Sequence, residues 1–126
     1  MSTAAVVGIA VAGALGAPTR YLVDGFVQDR SRGSFPWGTF TVNTLGSFAL
    51  GIVVGLEVHH GFTGAPRLWL ATGFCGAFTT FSTFAWETVR LVEEDDLVQA
   101  ARNLAASVGV GLLAASAGMS IVLLFG

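Results

Sequence analysis

The chain has 126 residues, 53% apolar and only 11% charged, with a mean hydropathy of +0.72 and a formal charge of −2. An ordinary soluble domain carries roughly 25% charge, so a water-soluble globule is excluded, and the lack of a basic cluster removes the electrostatic footprint of a nucleic-acid binder. One cysteine, Cys75, rules out an intrachain disulfide.

All fourteen charged residues fall between Arg20 and Arg102, leaving uncharged runs at Met1–Thr19, Gly33–Leu56, Leu68–Trp86 and Asn103–Gly126. These runs are 19, 24, 19 and 24 residues long, and about 20 residues cross a hydrocarbon core of ~30 Å. The expected fold is an all-α membrane protein: one domain over 1–126 with four transmembrane helices at about 3–22, 35–56, 68–87 and 103–125.

The first span carries Gly8, Ala12, Gly16 and Arg20 at four-residue spacing. That puts three small residues on one face, where they permit close helix approach. Arg20 ends the stripe, either as a snorkelling interfacial residue or as a group that holds neighbouring backbone or serves the mouth of an anion path. Pro18 removes a backbone donor just before it. The run Ala12–Ala17 resembles a signal-peptide cleavage site. No Lys or Arg precedes the apolar stretch and three further spans follow it, so a retained helix is expected.

A polar connector from Asp24 to Pro36 leads to Trp37, an interfacial anchor for the second span. There the stripe is Thr39, Asn43, Ser47, Gly51 and Gly55, polar in its first half and close-packing in its second. A carboxamide in hydrocarbon is costly unless it bonds within the bundle or faces water. Asn43 is therefore either an interhelical hydrogen-bonding group or a pathway residue, and the character of the third span favours the pathway. Glu57, His59 and His60 read as solvated connector residues, since no further ligands complete a metal site.

Trp69 and Trp86 bracket the third span, ~26 Å apart if the helix were continuous. Between them runs Gly73-Phe74-Cys75-Gly76-Ala77-Phe78-Thr79-Thr80-Phe81-Ser82-Thr83-Phe84, with two helix-weakening glycines and four hydroxyls in five residues. A pure anchor would be built of Leu, Ile and Val. Irregular backbone at membrane depth is tolerated where it lines a cavity, and ion sites are built there. A broken third helix is expected, with Phe81 and Phe84 on one face beside the hydroxyls of Thr80, Ser82 and Thr83. Glu87 closes the span, and the acidic run Glu93–Asp96 reads as solvated surface. The fourth span repeats the small and polar stripe as Asn103, Ser107, Gly111 and Ala115.

No nucleophile triad, phosphate loop or zinc spacing is present, so an enzyme is not expected. The first, second and fourth uncharged runs hold no acidic residue, and Glu87 lies at the edge of the third, so no membrane-embedded acid is placed to drive proton-coupled exchange. The spans supply neutral donors and aromatic rings, whose edges are positive. That set suits a small anion stripped of part of its water.

Three blocks carry a resemblance to a known family: Gly13 through Tyr21, Gly38 through Phe48, and Gly73 through Phe84. In them the chain closely resembles the bacterial fluoride channel family (Fluc, also called CrcB), whose length and four-span plan it shares. The resemblance implies a multi-pass protein of the bacterial inner membrane that forms an antiparallel dimer with two fluoride pores at the interface. Passive fluoride export through them would lower cytoplasmic fluoride and its toxicity. It implies that Asn43 is the pore asparagine, that Phe81 and Phe84 turn ring edges to fluoride, and that Ser107 belongs to a polar track. It further implies that the backbone carbonyls of Gly76 and Thr79 hold a structural, untransported sodium ion, with Arg20 and Glu87 near the pore mouths. Ala85 and Gly111 depart from the pattern, each standing where the family often has a hydroxyl. A small multidrug transporter is disfavoured because the first span has no Glu, and a holin-like assembly would leave Asn43, Phe81 and Phe84 unexplained.

Arginine placement bears on assembly. With four spans, Arg67 stands alone on the side of the N-terminus, while Arg20, Arg30, Arg32, Arg90 and Arg102 lie on or near the other. This bias predicts termini outside and arginine-rich connectors in the cytoplasm. The partner is then expected to be an oppositely oriented homologue, or a second copy if insertion is not fully biased.

Overall fold

The structure is a computed structural model that describes residues 1–125; Gly126 lies outside the described residues. Every regular element among them is helical. In chain order, α1 spans Thr3–Asp29, α2 spans Trp37–His60 and α3 spans Ala65–Leu68. A π-helical stretch, Trp69–Cys75, runs from α3 directly into α4 (Gly76–Phe78). After Thr79, Thr80 and Phe81, α5 (Ser82–Glu93) and α6 (Leu97–Phe125) complete the chain. Three helices, α1, α2 and α6, are long and apolar enough to cross a membrane; the third region is divided into shorter pieces.

The α1 and α6 helices outrun the expected spans because side chains satisfy their ends. The α1 helix begins where the Ser2 hydroxyl accepts the Ala5 amide at 3.1 Å, as an N-cap does. It continues through Pro18 and seven residues beyond 22, to Asp29. Its last carbonyls are taken by the Ser31 hydroxyl, 2.7 Å from Val27 O, and by the Arg30 guanidinium, 3.1 Å from Phe26 O. At the other end of the chain, α6 starts at Leu97 because the Asp96 carboxylate accepts the Gln99 amide at 3.4 Å. The same carboxylate accepts the Ser34 hydroxyl at 2.5 Å. The acidic run, expected to be merely solvated, thus contains a helix cap that also ties down the α1–α2 connector. His59 and His60 are exposed on the last turn of α2, which closes on left-handed Gly61 (φ 65°). Glu57 and Arg67 pair at 2.9 Å across the following connector.

Small residues set the packing. Gly16 leaves room for the Phe74 carbonyl and Ala77, and Gly8 for the Trp69 indole, so the α1 stripe is where the third region docks. On α2, Gly51 lies against the Ala115 backbone and Gly55 against Val122, while Gly118 of α6 faces the Phe48 carbonyl. The stripes of α2 and α6 therefore meet along their length, and a Cβ at Gly51 or Gly118 would collide with backbone. Large apolar side chains face outward: Leu15 is 61% exposed, Leu112 66% and Leu113 70%. Such faces belong against lipid rather than water.

Candidate functional site

The helix of the third region ends at Phe78, and Thr79 takes an extended backbone (φ −83°, ψ 160°). The departure falls one turn beyond the glycines that suggested it. Gly73 is wound into the π-helical stretch and packs on Ile9 and Ala12 of α1, and Gly76 is helical. What holds the chain away from helix is Asn43. Its Oδ1 accepts the Thr80 amide at 2.9 Å and its Nδ2 donates to the Thr80 carbonyl at 2.8 Å. In an uninterrupted helix the Thr80 amide would bond the Gly76 carbonyl; Asn43 captures it and releases that carbonyl. The interhelical hydrogen bond, one of the two roles set out for Asn43, is present, and the same carboxamide also lines a cavity.

That cavity is open, about 380 Å³ in volume, and lined by Asn43 and Ser47 of α2, by Gly76, Thr79, Thr80, Phe81 and Phe84, and by Ser107 of α6. Cys75 is the only titratable residue on its wall. The rings of Phe81 and Phe84 lie 5.9 Å apart at 51°, and Phe81 is 78% exposed. The Thr80 hydroxyl accepts the Thr83 amide at 3.2 Å, starting α5 in the manner of a cap, and donates to the Thr83 hydroxyl at 3.2 Å. Ser82 is exposed, 3.4 Å from the Thr80 hydroxyl, and does not line the cavity. Thr79 turns its hydroxyl back to the Cys75 carbonyl at 2.9 Å, leaving its own carbonyl free of side-chain partners.

Arg20 and Glu87 lie apart from this groove. Arg20 lines a smaller cavity of about 230 Å³ with Asp24, Thr39, Thr80 and Thr83, so Thr80 borders both spaces. Glu87 lines a third cavity with Gln28 and Arg90 and accepts the hydroxyl of Thr39, which is 4% exposed. Reading the spans one at a time placed Thr39 and Asn103 on polar stripes without partners and passed over Thr88, yet these three are the buried polar residues. Asn103, 1% exposed, donates to the Thr88 hydroxyl at 2.8 Å and accepts from Ser107 at 3.2 Å. Thr88 in turn bonds the Phe84 carbonyl at 2.8 Å. A hydrogen-bonded ladder thus joins Ser107 to the helix that carries Phe84. The available signal was an asparagine at the head of an uncharged run.

Long, outward-facing apolar helices around a neutral, hydroxyl-lined cleft define a multi-pass helical membrane protein. Comparison with known proteins gives its family. A family profile described as "CrcB-like protein, Camphor Resistance (CrcB)" matches residues 7–119. "Fluoride-specific ion channel FluC 1" of Streptomyces avermitilis is 46% identical over 112 residues, 88% of this chain and 90% of that protein. A protein of the same name from Frankia casuarinae is 45% identical over 123 residues, 90% of this chain and 92% of its own. "Fluoride-specific ion channel FluC" of Geobacter sulfurreducens is 40% identical over 115 residues, 90% and 93% of the two chains. The chain belongs to the CrcB-like family of bacterial multi-pass membrane proteins.

Proposed function

We propose that this chain is a subunit of a passive fluoride channel that exports the anion and lowers its cytoplasmic concentration. The observation that carries the reading is the Asn43–Thr80 pair, which opens the backbone beside an exposed Phe81 in a groove without acidic or basic side chains. One Nδ2 hydrogen of Asn43 is committed to Thr80, and the other remains for an anion. Ring edges of Phe81 and Phe84 supply further partial positive charge, and the Thr80 and Ser107 hydroxyls would join them by turning their single O–H donors from Thr83 and Asn103 to the anion. Neutral donors replace water without binding so tightly that the ion cannot leave, the balance that conduction requires. Hydrogen fluoride enters a cell uncharged and dissociates in the more neutral cytoplasm. An inside-negative potential then drives the anion out at ~2.3 kcal/mol per charge per 100 mV, with no coupled ion. Fluoride efflux from liposomes is expected to exceed chloride efflux by orders of magnitude; comparable rates would refute the reading.

The working unit in this proposal is an antiparallel dimer of four-span subunits, the broken third region of each meeting its counterpart. A single chain leaves the groove open on one side and Phe81 uncovered; a second subunit would close it into a narrow path. The Gly76 carbonyl released by Asn43, with that of Thr79, suits a hard cation, which takes oxygen ligands. Two carbonyls from each subunit would hold a structural sodium that offsets the carbonyl dipoles brought together there. Arg20, beside Thr80, and Glu87, held by Thr39, would stand toward the pore mouths. Ser82 and Thr83 would act from the start of α5. The arginine bias favours a heterodimer with an oppositely oriented homologue. Labelling S34C from each side of the membrane tests this: one-sided labelling is expected, and equal labelling from both sides would mean dual insertion and refute an obligate heterodimer.

A further inference from the structure

We propose that a cleft between the α1–α2 connector and the first turns of α6 binds one anionic phospholipid. The cleft is about 430 Å³ in volume and shares no lining residue with the groove at Asn43, so the proposal is independent of fluoride conduction. Its floor is aromatic. The Phe35 ring lies 4.6 Å from Trp37 and 5.7 Å from Phe40, and Trp37 lies 5.7 Å from Phe40 in an edge-to-face arrangement. Phe35 is buried, whereas Trp37 remains 43% exposed. Ala105 and Ala106 form the α6 wall and leave a smooth apolar track.

Above this floor stand two arginines, Arg32 on the connector and Arg102 on α6. Both are exposed. The ion pairs among the described residues are Glu57–Arg67 and Arg90–Glu94, so neither Arg32 nor Arg102 is neutralised within the chain. No acidic side chain lines the cleft. Asp29, three residues before Arg32, neither lines the cleft nor forms an ion pair, and Asp96, the carboxylate nearest Arg102 in sequence, is engaged by the Ser34 hydroxyl and the Gln99 amide. Of the remaining polar groups, Ser34 is bonded to Asp96, whereas the side-chain oxygen of Gln99 is buried without a hydrogen-bond partner. An unmet buried acceptor is unfavourable, and a rotation of the carboxamide would offer it to a hydroxyl or ammonium on a headgroup.

Depth and charge choose the occupant. Trp37 opens a membrane-spanning helix, the level at which aromatic anchors meet headgroups. Two unpaired guanidiniums match a phosphodiester bidentately, and the aromatic and alanine surface below them matches an acyl chain. Basic pockets at the ends of transmembrane helices bind anionic lipids in this way. Free phosphate would use the arginines and leave the aromatic floor without purpose.

The test uses the full chain in mild detergent, with phosphatidylglycerol and phosphatidylcholine offered together and retained lipid read by native mass spectrometry. Each arginine is expected to contribute about fivefold, hence about 25-fold preference for phosphatidylglycerol. R32Q/R102Q should reduce that preference to near unity while eluting as the wild type does. Equal retention of both lipids by the wild type, or undiminished preference in the double variant, would overturn the proposal. Millimolar inorganic phosphate that strips phosphatidylglycerol from the wild type would reassign the cleft to a soluble anion and overturn it as well. A wild-type measurement guards against misfolding of the variant. In liposomes, phosphatidylglycerol with a photoreactive acyl chain should label Trp37–Phe40 or Ala105–Ala106. Labelling confined to other segments would mean that a second subunit covers the cleft, and would overturn the lipid assignment.

Discussion

Substituting Asn43 tests the central structural claim, that one carboxamide holds the backbone open at Thr80. N43L preserves bulk and removes both hydrogen bonds, those at 2.8 and 2.9 Å. The Thr80 amide and carbonyl each lose a partner, at about 1–3 kcal/mol for each polar group left unmet. The site borders an open groove, so water recovers part of this and a total of about 2–4 kcal/mol is reasonable. At ~1.4 kcal/mol per decade, the working conformation falls about thirty- to several-hundredfold. Released from Asn43, the Thr80 amide can return to the Gly76 carbonyl and wind the turn into helix. Fluoride efflux by ion-selective electrode is expected to drop by that factor, while size-exclusion behaviour is retained. N43D sharpens the test through its pH dependence. An ionised carboxylate still accepts the Thr80 amide but opposes the Thr80 carbonyl, so flux is low when the group is charged. On acidification the protonated acid regains a donor, and flux rises as pH falls. N43L flux within threefold of wild type, or an N43D profile parallel to wild type, would show that Asn43 does not hold this turn.

Three further outcomes are expected. F81I and F84I keep apolar bulk and lose the ring edges; fluoride flux should fall at least tenfold, and for F81I the stability should stay within about 0.5 kcal/mol because that ring is mostly exposed, so unchanged flux in both would demote the rings to filler. G51L drives a side chain into the Ala115 backbone and should destabilise α2–α6 packing by about 1–3 kcal/mol. G111S, whose Cβ would stand 3.7 Å from the Ser47 hydroxyl oxygen, should fold normally and should not lower flux; equal melting temperatures for the two glycine variants would contradict the packing. Replacing sodium by choline should lower the thermal midpoint through loss of a ligand bound only by the folded protein, and a midpoint indifferent to sodium would count against a cation at Gly76 and Thr79.

The membrane location and the membrane-crossing helices α1, α2 and α6 were legible in the linear sequence, because hydrocarbon excludes charge and an uncharged run of sufficient length needs no tertiary partner to be recognised. Four-residue stripes of Gly and Ala likewise marked the faces that pack, since helical geometry alone puts them on one side. Helix ends were not legible in the same way. α1 reaches Asp29 and α6 begins at Leu97 through Arg30, Ser31 and Asp96, polar residues that a hydropathy reading assigns to connectors. The glycines announced irregular backbone in the third region, which is π-helical through Gly73, but the extended turn itself begins only at Thr79, and Gly73 also serves to admit α1. Where the helix departs was decided by Asn43, 37 residues away, and the bonds of Thr39 to Glu87 and of Asn103 to Thr88 span 48 and 15 residues. Local sequence fixes which polar groups must find partners in a dry interior; only the packing of α2 and α6 around the third region decides which partners they find.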